Sequence, residues 1–130
     1  MRELKFRAWD KDSIKWSKTP LEYKIKDINY YTDYEWNQYT GLKDKNGKEI
    51  YEGDIIKVLR KHWNNCRKEY LEKITEEIGE VVFYKNLEVS LKTKVEEGYL
   101  YQPFLWIFED EEDCEIEIIG NVYENKDLLK

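Results

Sequence analysis

Apolar and polar side chains alternate in several short segments of the chain, which predicts strands. Near the start, Leu4, Phe6 and Ala8 occupy every second position, residues 10–13 are polar, and the apolar pattern resumes at residues 14–16. This region is therefore predicted to form a strand, a turn and a second strand. Residues 21–36 are rich in Tyr and Ile with some alternation, which indicates a strand or an irregular sheet edge.

The second half of the chain carries the same pattern more often. Strands are predicted from Ile55 onward, over residues 80–84 and 87–91, and in the aromatic run 99–108. Residues 115–119 alternate Glu and Ile, so this segment is predicted to be a half-buried strand with Ile116 and Ile118 facing inward.

Residues 65–78 differ, because their apolar side chains follow helical spacing. Tyr70, Leu71, Ile74 and Ile78 lie at i, i+1, i+4 and i+8, with charged residues between them. The pattern predicts a helix, with Asn64 or Asn65 as its N-cap and Gly79 at its end. A second, shorter helical turn is predicted over Leu128 and Leu129, capped by Asn125.

Turn residues punctuate the centre of the chain. Asn46-Gly47 is a strong hairpin signal, since both residues tolerate the positive φ of a tight turn. Gly41, Gly47 and Gly53 stand six residues apart, so this segment is predicted to form tight corners between short strands. Together the patterns predict one mainly β domain over residues 1–130, a small barrel or sandwich of short antiparallel strands with an inserted helix near 65–78.

Composition supports a folded domain, with 41% hydrophobic and 15% aromatic residues in 130 positions. The net charge is −6, which argues against a general polyanion binder. However, residues 109–117 read EDEEDCEIE, with seven acids and no base, so the remainder of the chain is close to neutral. The acidity therefore describes one short segment and leaves local basic surfaces open for consideration.

Two cysteines, Cys66 and Cys114, are too few for a disulfide framework. The N-terminal residues lack the apolar core of a signal peptide, and no apolar run approaches the roughly 20 residues of a membrane span. We therefore expect a cytoplasmic protein with reduced thiols and no membrane contact.

Four segments together resemble the YopX family of small phage and prophage proteins. They are RAWD at 7–10, QYTGLKDKNGKEIYEGDII at 38–56, GEVVF at 79–83 and IGNVYENKDLL at 119–129. The resemblance implies a largely β, barrel-like domain encoded by phages or prophages of low-GC bacteria. It implies no activity and transfers no catalytic or binding residue, because the function of this family is uncharacterised. Residues 60–78 depart from the family pattern, in which a short connection is expected.

The candidate binding surface is the basic segment 60–68, RKHWNNCRK. Arg60, Lys61, Arg67 and Lys68 can neutralise phosphate, and Trp63 can stack on a base. The predicted helix start adds free backbone N–H groups that favour anions. The alternative is a solvated loop whose Trp packs against the barrel, and basic surface clusters more often have this simple explanation.

Other clusters have structural explanations that we favour. The aromatic residues Tyr99, Tyr101 and Trp106 suit a stacking platform, but the alternation also fits core packing. The acidic segment 109–117 suits DNA mimicry or a hard cation, but charge runs are usually solvated. Arg7, Trp9 and Asp10 are interpreted as architectural, with Trp9 packed and the two charged residues partnered.

The sequence gives little support for a catalytic site or a metal site. His62 and Cys66 lie four positions apart, which a helix would bring together, and Cys114 is a third potential ligand, but zinc sites normally need four. His62 is the single histidine and has no nucleophile motif beside it.

We therefore expect a non-catalytic accessory protein without a cofactor. Its expected partner is a host or phage protein, or a second copy of itself in a homo-oligomer. The alternative is a nucleic-acid-binding module that uses residues 60–68. Imitation of DNA by the acidic segment is the weakest hypothesis.

Overall fold

The computed structural model describes residues 5–11, 14–16, 34–84, 88–104 and 113–129. The predictions for residues 21–33 and for Trp106 lie outside this part of the chain. The described elements are β1 (Phe6–Asp10), β2 (Lys15–Trp16), β3 (Tyr34–Lys43), β4 (Glu49–Tyr51), β5 (Asp54–Trp63), β6 (Leu71–Tyr84), β7 (Glu88–Val95), β8 (Gly98–Pro103), β9 (Cys114–Asn121) and a 3₁₀ helix (Lys126–Leu129).

The strands form two antiparallel sheets. Four strands pair in the order β2-β1-β3-β4, and five pair in the order β8-β7-β6-β5-β9. The predicted strand, turn and strand near the N-terminus correspond to β1 and β2, with Trp9 opposite Trp16. The prediction of a mainly β, barrel- or sandwich-like domain of short antiparallel strands is confirmed.

Glycines form the predicted corners. Gly41, Gly47 and Gly53 have φ angles of 86°, 80° and 87°, the left-handed region that other residues rarely adopt. The Asn46-Gly47 turn joins β3 to β4, as predicted. Asp44 holds this turn, since its carboxylate accepts the backbone N–H groups of Asn46 at 2.9 Å and of Lys48 at 3.0 Å.

The main core lies on one face of the five-stranded sheet, here called the inner face. Side chains alternate along β5, so Ile56 and Val58 point to the inner face and Lys57 points away. In β9, Ile116 and Ile118 lie opposite Val58 and Ile56, as the alternation predicted. The buried cluster consists of Ile50, Ile56, Val58, Val81, Leu91, Phe104 and Ile116.

The predicted helix over residues 65–78 is wrong. Residues from Leu71 onward belong to β6, which pairs with β5 from Ile55–Glu80 to Trp63–Leu71. The side chains that suggested a buried helical face are largely exposed, with Tyr70 at 61% and Ile74 at 54%. Since these residues bury no common face, pairing with β5 overrides the weak local pattern.

The two asparagines predicted as helix caps instead shape the loop between β5 and β6. The Asn65 side chain accepts the backbone N–H of Arg67 at 3.0 Å, a local turn of the kind that Asn favours. The Asn64 side chain accepts the backbone N–H of Tyr70 at 3.1 Å. Both asparagine side chains therefore accept backbone N–H groups, as a helix cap would, but the segment that they stabilise is a loop.

The predicted C-terminal turn is confirmed as the 3₁₀ helix, although its cap differs. The backbone oxygen of Asn125 accepts the N–H of Leu128 at 2.9 Å. Its side chain turns back and accepts the backbone N–H of Asn121 at 3.2 Å. Among the described residues, no helix has the length and apolar character needed to cross a membrane.

Candidate functional site

The five residues predicted as a binding surface are not brought onto one surface. Arg60 and Lys61 are neighbours on β5, so their side chains point to opposite faces of the sheet. Arg60 shares the inner face with Val58, whereas Lys61 is exposed on the outer face. Trp63 ends β5, and Arg67 and Lys68 lie exposed in the loop that follows.

Two members of this set are bound by a residue of the acidic segment. The indole N–H of Trp63 donates to Asp113 Oδ1 at 2.7 Å, and Lys68 Nζ lies 2.8 Å from Asp113 Oδ2. The hydrogen bond from Lys68, followed by that from Trp63, lowers the pKa of the Asp113 carboxyl. Asp113 therefore fixes the loop and neutralises part of its positive charge.

The described remainder of the acidic segment has local partners as well. Glu117 lies 2.9 Å and Glu115 3.7 Å from Lys45 Nζ, across the outer face of β9. The hydrogen bond from Lys45 lowers the pKa of Glu117. Residues 109–112 lie outside the described part of the chain. The described acids support the expectation of a solvated outer face.

Arg7 and Trp9 lie in a packed polar cluster where the two sheets meet. Arg7 Nη2 is 2.7 Å from Asp54 Oδ1, and its guanidinium stacks over the rings of Trp16 at 4.0 Å and Tyr51 at 4.9 Å. Trp9 is buried and stacks on Tyr123, with ring centroids 5.1 Å apart.

Further hydrogen bonds complete this cluster. Asn37 accepts from Arg7 Nε at 3.3 Å and donates to the Tyr123 hydroxyl at 2.8 Å. Burial raises the pKa of Tyr123 to about 12, so the hydroxyl remains protonated. Three segments that carry the family resemblance, 7–10, 38–56 and 119–129, converge here. Their side chains satisfy one another, which supports the architectural interpretation of Arg7 and Trp9.

A cleft on the outer face has balanced charge. It has a volume of about 760 Å³ and its charged lining consists of Glu35, Glu80, Lys92, Lys94, Lys126 and Asp127. Lys92 Nζ lies 4.2 Å from the centre of the Tyr99 ring. Burial raises the pKa of Glu80 despite the nearby Lys92 and Lys126. The equal number of acids and bases gives this cleft no preference for a charged ligand.

The five-stranded sheet opens at its other end. The described pairing of β6 with β7 extends from Tyr84–Glu88 only to Glu80–Lys92. Beyond this point β6 continues beside β5, and β7 continues beside β8 to Val95. The β5–β6 hairpin and the β7–β8 hairpin therefore separate, and we call this region the open end.

Gly79 marks the position where the two hairpins part. A Cβ atom there would lie 2.7 Å from both Leu91 Cδ1 and the Lys92 carbonyl oxygen, closer than real Cβ contacts. The absent side chain lets β6 approach β7 closely just before they diverge. Between Leu71 and Ile78, no described strand pairs with β6 on this side.

A cleft of about 630 Å³ lies at the open end and is here called the arginine cleft. Its lining comprises Arg60, His62, Thr75, Glu77, Leu100, Tyr101 and Gln102. The pairs Leu91–Gln102 and Thr93–Leu100 place Gln102 and Leu100 on the inner face. The arginine cleft therefore continues the core face beyond the point where the core ends.

Some polar groups of this cleft form hydrogen bonds and others do not. His62 Nε2 and Thr75 Oγ1 form a hydrogen bond of 2.8 Å. Arg60 Nε and Nη2 are buried and have no hydrogen-bond partner in the described part of the chain. Glu77 Oε1 is 3.7 Å from Arg60 Nε, beyond hydrogen-bond distance.

The sequence pattern predicted that Tyr99 and Tyr101 of β8 pack into the core, and this prediction is wrong. Tyr99 is 57% exposed and Tyr101 36% exposed. The reason is the register of the edge strand β8: Leu100 and Gln102 take the inner positions, so Tyr99 and Tyr101 occupy positions on the opposite face of the sheet. The helical spacing proposed for His62 and Cys66 is also absent, because His62 is on β5 and Cys66 is exposed in the loop.

Sequence reasoning identified Arg60 but missed the cleft around it. The cleft lies where two hairpins separate. One of them contains β6, which includes residues 71–78 that the pattern had predicted to be helical. Gly79 was the available signal, since a glycine within a strand often marks a close backbone approach. It was interpreted instead as the end of a helix.

Comparison with known proteins gives a family and no activity. No curated protein matches the sequence. The crystal structure of protein EF1440 from Enterococcus faecalis is similar over 100% of both chains, with 20% identity and a TM-score of 0.47. The sequence model described as YopX protein matches residues 17–130, which is most of the chain. The protein therefore belongs to the YopX family.

Proposed function

We propose that this protein is a non-catalytic binding module that holds an extended segment of a partner protein at the open end of its five-stranded sheet. The main support is the combination of an unpaired strand edge with exposed apolar side chains. Strand addition to a free edge supplies main-chain hydrogen bonds, and neighbouring pockets supply specificity. Within the described residues, the edge of β6 that has no strand partner runs from Leu71 to Ile78.

Exposed apolar residues lie on both hairpins that form the open end. On the β5–β6 side they are Tyr70, Leu71 and Ile74, and on the β7–β8 side Val95, Tyr99, Leu100 and Tyr101. Solvent-exposed tyrosines and leucines of this kind suit an interface, because burying them against a partner removes apolar area from water. A host or phage protein fits the setting that the family resemblance implies.

The nucleic-acid alternative has weaker support. Asp113 neutralises Lys68 and occupies the indole N–H of Trp63, while Arg60 and Lys61 point to opposite faces. The basic segment thus offers no continuous row of free cations for a phosphate backbone.

The experiment is a pull-down from induced host cells, quantified by mass spectrometry, with the wild-type chain and two variants. Leu100→Lys places a charge at the open end, whereas Leu128→Lys makes the same change at another exposed leucine, in the C-terminal 3₁₀ helix. We expect one or more proteins to be retained by the wild type and by Leu128→Lys and to be lost with Leu100→Lys.

Equal retention by both variants would contradict the proposal. Light scattering on the same samples measures self-association. A concentration-dependent mass that Leu100→Lys alone abolishes would identify a second copy, in place of another protein, as the occupant.

A further inference from the structure

The Arg60 guanidinium in the arginine cleft has an ion pair with Glu77 but lacks hydrogen bonds from its Nε and Nη2 atoms within the described residues, and this points to the chemistry of the partner. Arg60 Nε and Nη2 are shielded from solvent and make no hydrogen bond within the described residues, although the whole side chain is 23% exposed. A buried charged donor without an acceptor is unfavourable, so a ligand that supplies acceptors gains the free energy of satisfying it.

A carboxylate is the group that matches this donor set. The guanidinium presents planar, parallel N–H groups, and a carboxylate accepts two of them at once. Glu77 attracts the guanidinium from 3.7 Å but does not form this bond. His62 and Thr75 form a hydrogen bond with each other, so neither supplies an acceptor to Arg60.

The surroundings of Arg60 define the rest of the ligand. Leu100 and Tyr101 line the same cleft and are both exposed, so the carboxylate must arrive beside apolar groups. An acidic side chain with apolar neighbours in an extended segment has this character.

The sheet geometry allows such a side chain to reach Arg60. A strand added to the free edge of β6 lies two strand spacings from β5, roughly 10 Å, and its alternate side chains face the inner side. Thr75 lies opposite Arg60 in the register, so an acidic side chain at the next position across, on the added strand, extends over Thr75 toward the long Arg60 side chain.

We propose that the arginine cleft binds an acidic side chain, Glu or Asp, of an extended partner segment, with Arg60 as the group that receives its carboxylate. This inference rests on the proposed function, because it assumes a segment held at the open end. It adds the chemical class that the segment must carry.

The test is selection of a random linear peptide library against the immobilised full chain. We expect enriched peptides to carry Asp or Glu at one fixed position with apolar residues beside it. For such a peptide, replacing its acid by the corresponding amide and replacing Arg60 by Gln should each weaken binding about tenfold or more, and the two changes together should add little. Arg67→Gln, in the exposed loop, is the matched control and should leave affinity unchanged.

The outcomes separate the two proposals. Peptides that lose binding with Leu100→Lys but show no acid enrichment and no effect of Arg60→Gln would overturn the carboxylate assignment and leave the open end as the binding site. No enrichment, or binding that Leu100→Lys does not affect, would overturn both. Because the acid-to-amide change is made in the peptide and leaves the protein unaltered, the loss of affinity that it causes can be interpreted even if Arg60→Gln disturbs folding.

Discussion

Asp44 shows how a single carboxylate can serve the backbone. Besides the turn amides of Asn46 and Lys48, it accepts the N–H of Ile118 in β9 at 3.1 Å. Burial acts to raise the pKa of Asp44, but the backbone hydrogen bonds from Ile118, Lys48 and Asn46 hold it below its ordinary value. The residue therefore joins the β3–β4 turn to the edge of the other sheet.

We predict that Asp44→Ala lowers the free energy of unfolding by roughly 3 kcal/mol, because it leaves several amides without their charged acceptor. Urea denaturation measures the change. Glu97→Ala, in the exposed β7–β8 turn, is the control and should change stability by less than about 0.5 kcal/mol. Equal effects of the two substitutions would show that Asp44 does not have this role.

Two glutamates of the same sheet should respond oppositely to pH. Burial raises the pKa of Glu80, so ionised Glu80 disfavours the folded state and its contribution is lost as pH rises through the raised pKa. Lys45 lowers the pKa of Glu117, whose contribution is present above its ordinary pKa and lost as pH falls.

We therefore expect Glu80→Gln to gain stability relative to the wild type as pH rises from about 3 to about 7, and Glu117→Gln to lose it. Thermal unfolding across this pH range gives both differences. Parallel slopes for the two variants would disprove the assignment of opposite shifts.

At the scale of elements, Gly79 controls how closely β6 and β7 approach. We predict that Gly79→Ala lowers the free energy of unfolding by about 1 to 3 kcal/mol, because its Cβ would meet Leu91 and the backbone of Lys92 at 2.7 Å. Lys73→Ala, at an exposed position of the same strand, should have little effect. Denaturant unfolding of the two variants provides the comparison, and a neutral Gly79→Ala would mean that the strands can separate freely.

The local residue pattern correctly predicted those elements whose structure depends mainly on residues that are close in sequence. The β3–β4 hairpin followed from Asn46-Gly47, and the inward side of β9 followed from Ile116 and Ile118. These features depend on backbone conformation and period-two burial, which neighbouring residues determine. The 3₁₀ helix at Leu128 and Leu129 was predicted for the same kind of reason.

The misassigned segment depends on pairing with a neighbouring strand, which its own residue pattern does not show. Residues 71–78 form a strand because β5 offers a matching edge, although Leu71 and Ile74, together with Tyr70 before them, follow helical spacing. The arginine cleft depends in turn on that strand. Arg60 could therefore be selected as a candidate from its charge, but the sequence could not predict that its Nε and Nη2 atoms are buried without a hydrogen bond among the described residues.

For the molecule as a whole, the distribution of charge predicts weak affinity for nucleic acids. The net charge is −6, and the loop cation Lys68 is paired with Asp113. We expect no micromolar binding to single- or double-stranded DNA or to RNA at low salt. Fluorescence anisotropy tests this, and salt-dependent binding that Arg67→Glu abolishes would instead support the nucleic-acid alternative.

The bond between Trp63 and Asp113 has a consequence for how the chain folds. It joins residues 50 positions apart, and the bond between Asp44 and Ile118 spans 74 positions. During synthesis β9 is made after β5, so the edge of β5 that pairs with β9 remains uncovered until residue 121 has been made. Bringing such distant residues together has a large entropic cost, so we expect the domain to complete its fold only once β9 is available and to fold more slowly than a helical protein of similar length.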